Sequence, residues 1–114
     1  MDDCLFCKII DRKIPAKTVH EDDLSVAIED IQPQAPVHLL VLSRKHLPSL
    51  KEAVEKDQAL LGHLLLVAAQ LARARGLEAN GYRTVINSGA GAGQSVFHLH
   101  VHVLGGRAFQ WPPG

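Results

Sequence analysis

Apolar and polar positions follow two different periods along this chain, and the switches between them divide it into elements. Cys4 to Asp11 places Leu5, Phe6, Ile9 and Ile10 at near-helical spacing, and Pro15 stops any helix soon afterwards, so a short N-terminal helix is predicted. Thr18-Val19-His20-Glu21 and Leu24-Ser25-Val26-Ala27-Ile28 flank the acidic pair Asp22-Asp23, which suits a tight turn, and the segment reads as a hairpin. Two close prolines make Gln32 to Pro36 a loop, because they would remove donors from a central strand. Val37 to Leu42 follows as an apolar strand. From Leu60 to Ala72 the residues Leu60, Leu61, Leu64, Leu65, Ala68, Leu71 and Ala72 recur at helical spacing, with His63, Gln70 and Arg73 off the stripe. Asp57 is the expected N-cap of this main helix, and Gly76 after Arg73 and Arg75 is its stop. Tyr82 to Asn87 is a fourth strand, Ser88 to Gly93 a glycine-rich loop, and Val96 to Leu104 a fifth strand ended by Gly105-Gly106. The pattern is that of an α+β meander with one long helix across a sheet face.

Composition sharpens this picture in three ways. A length of 114 residues with 46% hydrophobic content suits one compact domain over residues 1–114. Twelve basic and twelve acidic residues cancel, so no cationic surface announces a track for nucleic acid or for an anionic membrane, and a small ligand is the expected partner. The N-terminus carries no basic region followed by an apolar core, and no apolar run approaches the roughly 18 residues of a membrane span. A cytoplasmic protein is expected.

Seven histidines are many for this length, and three fall in His98-Leu99-His100-Val101-His102-Val103. A strand's period of two sets all three rings on one face, about 6–7 Å apart, where neighbouring imidazoles reach different oxygens of one phosphate. A solvated strand face or a metal site are the competing readings. Next to the row, Gly91-Ala92-Gly93-Gln94-Ser95 offers free backbone N–H groups and a hydroxyl for an anion, which favours phosphate over metal.

With its flanking residues, this run resembles the His-φ-His-φ-His-φ-φ signature of the histidine triad family, where φ is apolar. The likeness extends over Cys4–Ile14, Asp30–Pro36, Tyr82–Asn87, Gly93-Gln94-Ser95 and the ending Gly105 to Gly114, whose Trp111-Pro112-Pro113-Gly114 is typical of the Hint branch, the purine nucleoside phosphoramidases. The resemblance implies a five-stranded antiparallel sheet, a homodimer in which two sheets join into ten strands, and a tail, residues 105–114, reaching toward the partner's site. It implies that His100 is a nucleophile toward the α-phosphorus of a purine nucleotide, with His102 and His38 on the phosphate oxygens and Ser95 on the phosphate and the leaving amine. Neutral imidazole is a competent nucleophile at pH 7, and two-step displacement lowers each barrier. Further implied contacts are Asn87, Gly93, Gln94 and Val96 around the phosphate and Asp30 on the ribose hydroxyls. Phe6, Ile9, Ile28 and Ile31 would line the base, and Trp111 would come from the tail. Ile28 departs from the aromatic residue common at its position, which loosens the expected preference for purines.

The implied reaction is hydrolysis of the P–N bond of nucleoside 5′-phosphoramidates without a catalytic cofactor. Dinucleoside polyphosphate hydrolysis and a nucleotide-binding module with incidental turnover are the alternatives. His102 argues against the transferase branch, where glutamine stands at that position. Cys4 and Cys7, spaced C-x-x-C, together with His46 and His98, supply two thiolates and two imidazoles, a usual structural zinc set that some bacterial-type relatives resemble. Two reduced, unliganded cysteines are the other reading. His20 and His63 are expected to be solvated surface residues.

Overall fold

In a computed structural model, which describes residues 3–114, the apolar runs become α1 (Leu5–Ile10), β1 (Thr18–Glu21), β2 (Ser25–Glu29), β3 (Val37–Ser43), α2 (Gln58–Ala74), β4 (Tyr82–Val85) and β5 (His100–Gly105). Met1 and Asp2, part of the N-terminal reading above, lie outside the described residues. All strand pairs are antiparallel, in the order β1-β2-β3-β5-β4. The sheet is therefore not the simple meander expected. After β3 the chain crosses the sheet as α2, lands at the edge as β4, and turns back so that β5 fills the gap beside β3. The histidine-bearing strand is thus central, flanked on both sides by hydrogen-bonded neighbours.

The alternation of β3 and β5 sorts their side chains onto two faces. On one face Ala27, Leu39, Val41, Val101 and Val103 meet the buried stripe Leu60, Leu64, Val67, Ala68 and Ala72 of α2. On the other, Phe6 of α1 packs with Val26, Ile28, Leu40 and Leu42. Register puts His100 opposite Leu42 and His102 opposite Leu40, so both histidines belong to the α1 face. The six-residue α1 covers only part of that face, and the imidazoles lie beside it. Among the described residues no helix is long and apolar enough to cross a membrane.

Three local expectations change. The fifth strand begins at His100 rather than Val96. The Val96 carbonyl accepts from His98 N–H (3.0 Å) and from the Gln94 amide (3.1 Å), and Leu99 N–H goes to Leu47 O (2.7 Å), which takes these groups out of the ladder while the Leu99 carbonyl still meets Ser43 N–H of β3 (3.3 Å). Asp57 stands at the N-cap of α2 but does not cap it. Its carboxylate turns back to Val54 N–H (3.0 Å) and to the Lys45 ammonium (2.7 Å). His20 and His63 are not free surface residues, since both ring Nε2 atoms bond one oxygen of Asp22, at 2.6 and 2.8 Å. Asp22 also accepts from Leu24 N, Ser25 N and the Ser25 hydroxyl, and these bonds hold its pKa well below the usual carboxylate range against the opposing effect of burial. The carboxylate thereby ties the β1–β2 turn to α2.

Candidate functional site

His38, His100 and His102 come together on the α1 face, and their hydrogen bonds fix where each proton sits. Gln34 N–H donates to His38 Nδ1 (3.0 Å), so the neutral His38 ring carries its proton on Nε2. That Nε2–H faces His102 Nδ1 at 2.9 Å, which makes His102 an acceptor there and leaves Nε2–H of His102 as a free donor. His100 is set the opposite way. Its Nδ1–H donates to the His98 carbonyl (2.6 Å), which leaves Nε2 with a bare lone pair. A nucleophilic nitrogen and a proton donor thus lie on neighbouring rings whose centroids are 5.0 Å apart.

Burial keeps these rings neutral. His100, His102 and His38 all have lowered pKa values with desolvation as the first cause, and His102 falls to about 4 because His100 and His38 add to it. Phe6 stands edge-on to His100, with centroids 4.9 Å apart and planes at 86°. An uncharged imidazole in an apolar wall keeps its lone pair for attack rather than for a proton.

Asp30, just beyond β2, accepts from Gln32 N–H through Oδ1 (2.8 Å) and turns Oδ2 toward His38 Nε2 (3.4 Å). Each carboxylate oxygen retains a lone pair for a hydroxyl donor. The spacing of Asp30, His38 and His102 would suit a metal ion. The donor set does not, because His38 Nε2 carries a proton once Gln34 N–H occupies Nδ1.

The remaining predicted contacts divide. Phe6 and Ile28 are buried members of the core cluster, and Ile9 packs against it. Ile31 is 92% exposed at the turn after β2. Gly93 takes φ 91°, a conformation that suits glycine, as the chain leaves the short 3₁₀ turn Ala90–Ala92. Ser95 is exposed, Asn87 and Val96 half-buried. The Gln94 side chain is consumed internally: its oxygen accepts from Gly89 N–H (2.8 Å) and its amide donates to Pro48 O (2.7 Å), which closes the glycine-rich loop. Only its backbone remains to meet a ligand. Trp111 is 83% exposed on the tail. Ser95 and Val96 border an open cleft of about 540 Å³ that continues past Leu5, Phe97, Cys4 and His46.

Cys4, Cys7, His46 and His98 form a second cluster behind His100. His98 Nδ1 lies 3.2 Å from Cys4 Sγ, 3.5 Å from Cys7 Sγ and 3.1 Å from His46 Nδ1, and Cys7 Sγ lies 3.3 Å from His46 Nδ1. A tetrahedral zinc with usual bond lengths has S···N and N···N edges of roughly 3.5 and 3.3 Å. His98 Nε2–H donates to Ser43 O (2.6 Å), which bares Nδ1 toward the sulfurs and supplies the outer support usual for a metal-ligating histidine. The residues fit a structural metal. Without a cation, burial and the Cys4 sulfur push the Cys7 thiol up to about 11.

Sequence reasoning missed the groups that assign the protons. Gln34 N–H and the carbonyls of His98 and Ser43 are backbone atoms, and no side-chain pattern announces them. Arg107, which donates to Gln34 O at 2.9 Å, was visible only as part of the C-terminal ending.

The chain is similar in sequence and fold to known proteins. The sequence profile of the HIT domain matches residues 11–109. An uncharacterized HIT-like protein of Synechocystis is 56% identical over 113 residues, covering 99% of this chain and 98% of its own. The crystal structure of a HIT family hydrolase from Legionella pneumophila superposes with a TM-score of 0.96 at 48% identity, over 98% of this chain and 100% of that one. A zinc-bound histidine triad family protein from Mycobacterium smegmatis reaches 0.82 at 32% identity, over 93% and 76% of the two chains. A histidine triad nucleotide-binding protein from Candida albicans reaches 0.83 at 30%, over 96% and 83%.

Proposed function

The chain belongs to the HIT domain family and carries the fold of its hydrolases, and from that premise we propose that it is a nucleoside 5′-phosphoramidase of the Hint branch. One observation carries the reading: a bare Nε2 on His100 beside a donating Nε2–H on His102. A phosphoramidate presents an electrophilic phosphorus to the first group and an anionic oxygen to the second.

In the proposed reaction His100 Nε2 attacks the α-phosphorus and the P–N bond breaks. The exposed Ser95 hydroxyl donates to the leaving nitrogen and takes a proton from solvent in its place, so the amine departs neutral and Ser95 stays a hydroxyl. His102 Nε2–H donates to a phosphoryl oxygen as charge builds there, an interaction strengthened by the half-buried setting of the ring. Water then attacks the nucleotidyl-histidine, breaks the N–P bond and frees the nucleoside monophosphate, its proton returning to solvent. Asp30 holds the ribose hydroxyls, and Phe6, Ile9, Ile28 and Ile31 flank a purine base. Asn87 and the backbone of Gly93, Gln94 and Val96 complete the phosphate cradle.

Cys4, Cys7, His46 and His98 are proposed to hold a structural zinc, a reading supported by their near-tetrahedral spacing and by the zinc-bound mycobacterial relative. The ion would act on α1 and on the His98 backbone, whose carbonyl orients His100. The working unit is proposed to be a cytoplasmic homodimer joined at the free edge of β4, with Trp111 of each tail directed to the other protomer. The exposed Leu65 and Leu66 of α2 and Tyr82 of β4 supply apolar surface for such an interface.

Incubation with an adenosine 5′-phosphoramidate tests the activity. The wild type is expected to release AMP and amine, and His100→Ala to be slower by at least about 10³-fold, the usual scale for loss of a nucleophile. Nucleotide binding with equal turnover in both proteins would reduce the molecule to a binding module.

A further inference from the structure

The C-terminal tail joins the hydrogen-bond network of the site through one arginine outside the histidine cluster. As β5 ends, Gly106 takes φ 90° and passes so close to Pro36 that a side-chain Cβ there would lie 2.8 Å from the proline ring. This close approach aims Arg107 at the loop before β3. Its Nε donates to Gln34 O (2.9 Å), its Nη1 to Ala108 O (3.0 Å), and its guanidinium lies 4.3 Å from the centre of the Phe109 ring. Gln34 is therefore held on both sides: Arg107 takes its carbonyl, and its N–H is spent on His38 Nδ1.

We propose that Arg107 is a positioning residue of the active site, which by fixing Gln34 sets the tautomer of His38 and hence which nitrogen of His102 carries a proton. The inference rests on the phosphoryl-transfer reading above. Its chemistry is a two-way chain. With Gln34 N–H on Nδ1, His38 donates to His102, and His102 presents Nε2–H to the phosphate. If Gln34 drifts away, His38 is free to carry its proton on Nδ1. His102 Nδ1–H then donates back, and His102 turns a bare Nε2 toward anionic oxygens, a repulsive contact in place of a hydrogen bond. Asp30 does not hold the chain alone. Its oxygen is 3.4 Å from His38 Nε2, beyond good hydrogen-bond length, and the same carboxylate is needed by the ribose.

The test combines ring-nitrogen NMR with kinetics on Arg107→Ala, Arg107→Lys and Arg83→Ala. Arg83 also binds the tail, donating to Gln110 O at 2.8 Å and lying 5.2 Å from the centre of the Phe109 ring, but it does not hold Gln34. In the wild type and in Arg83→Ala, both His38 and His102 are expected as Nε2–H tautomers. In Arg107→Ala the Nδ1–H form is expected to appear at both rings together, with kcat/KM for an adenosine phosphoramidate lower by about 10–100-fold, the scale of lost supporting contacts around a site. Arg107→Lys, which keeps one donor for Gln34 O, is expected to recover the wild-type tautomers and most of the rate. Unchanged tautomers in Arg107→Ala would overturn the proposal, as would equal changes in Arg83→Ala, which would reduce the effect to tail docking. The NMR readout needs no turnover. It therefore decides the role of Arg107 even if phosphoramidates are not hydrolysed.

Discussion

His102 titrates at about 4, held down first by burial and then by the neighbouring His100 and His38. In the unfolded chain the same ring titrates at its ordinary value of 6.5. Between those values the unfolded chain binds a proton that the folded one refuses, so stability is full above about pH 6.5 and is lost as pH falls toward 4. His38 and His100 shift in the same direction. The lowered carboxylates Asp22 and Asp57 lose their contribution below their ordinary value of 3.8, under this window, and Glu29, lowered by the Lys17 ammonium, loses its own below 4.5, at the acid end of the window. Thermal unfolding should show a Tm that is flat from pH 8 to 7 and then drops toward pH 4, with a shallower drop in His102→Asn; a Tm indifferent to pH over that range would contradict the packing described. The alternation that sets His100 and His102 on one face was legible, the resemblance added His38, and His98 falls outside β5 in the second cluster. Which nitrogen each ring offers was not legible, because Gln34 N–H and the His98 carbonyl decide it.

The elements were largely legible, since Leu60 to Ala72 keeps a helical stripe, β2 and β3 are apolar runs and β5 alternates. Their ends were less so where side chains or loops compete for backbone groups. Gln94 and Leu47 draw residues 96–99 out of β5, and Asp57 spends its carboxylate on Lys45 and Val54 rather than on α2. The element most dependent on outside support is α1. A helix of six residues is far too short to persist alone. Phe6 anchors it in the core, and Cys4 and Cys7 face His46 and His98 across the second cluster. Metal analysis of the purified protein should give about one zinc per chain, and a strong chelator should lower Tm by several degrees. Cys7→Ser should lose both the metal and the response to chelator. A metal-free wild type whose Tm ignores chelator would leave the cysteines as ordinary reduced thiols.

The order of strands belongs to the whole molecule, and nothing local in the sequence announces that β5 slips between β3 and β4. That placement leaves β4 with a free edge, while Leu65 and Leu66 remain 49% and 64% exposed on α2. Light scattering should therefore give twice the chain mass, and Leu66→Glu should shift the protein toward a monomer. A wild-type monomer at micromolar concentration would contradict the proposed assembly and leave the tail with its own protomer. The chemistry itself is tested most directly by catching the intermediate. Rapid mixing with an adenosine 5′-phosphoramidate, quenching in alkali to preserve a phosphorus–nitrogen bond, and peptide mapping by mass spectrometry should find adenylate on His100. Turnover with no adduct on His100, and with His100→Ala as fast as the wild type, would contradict the account.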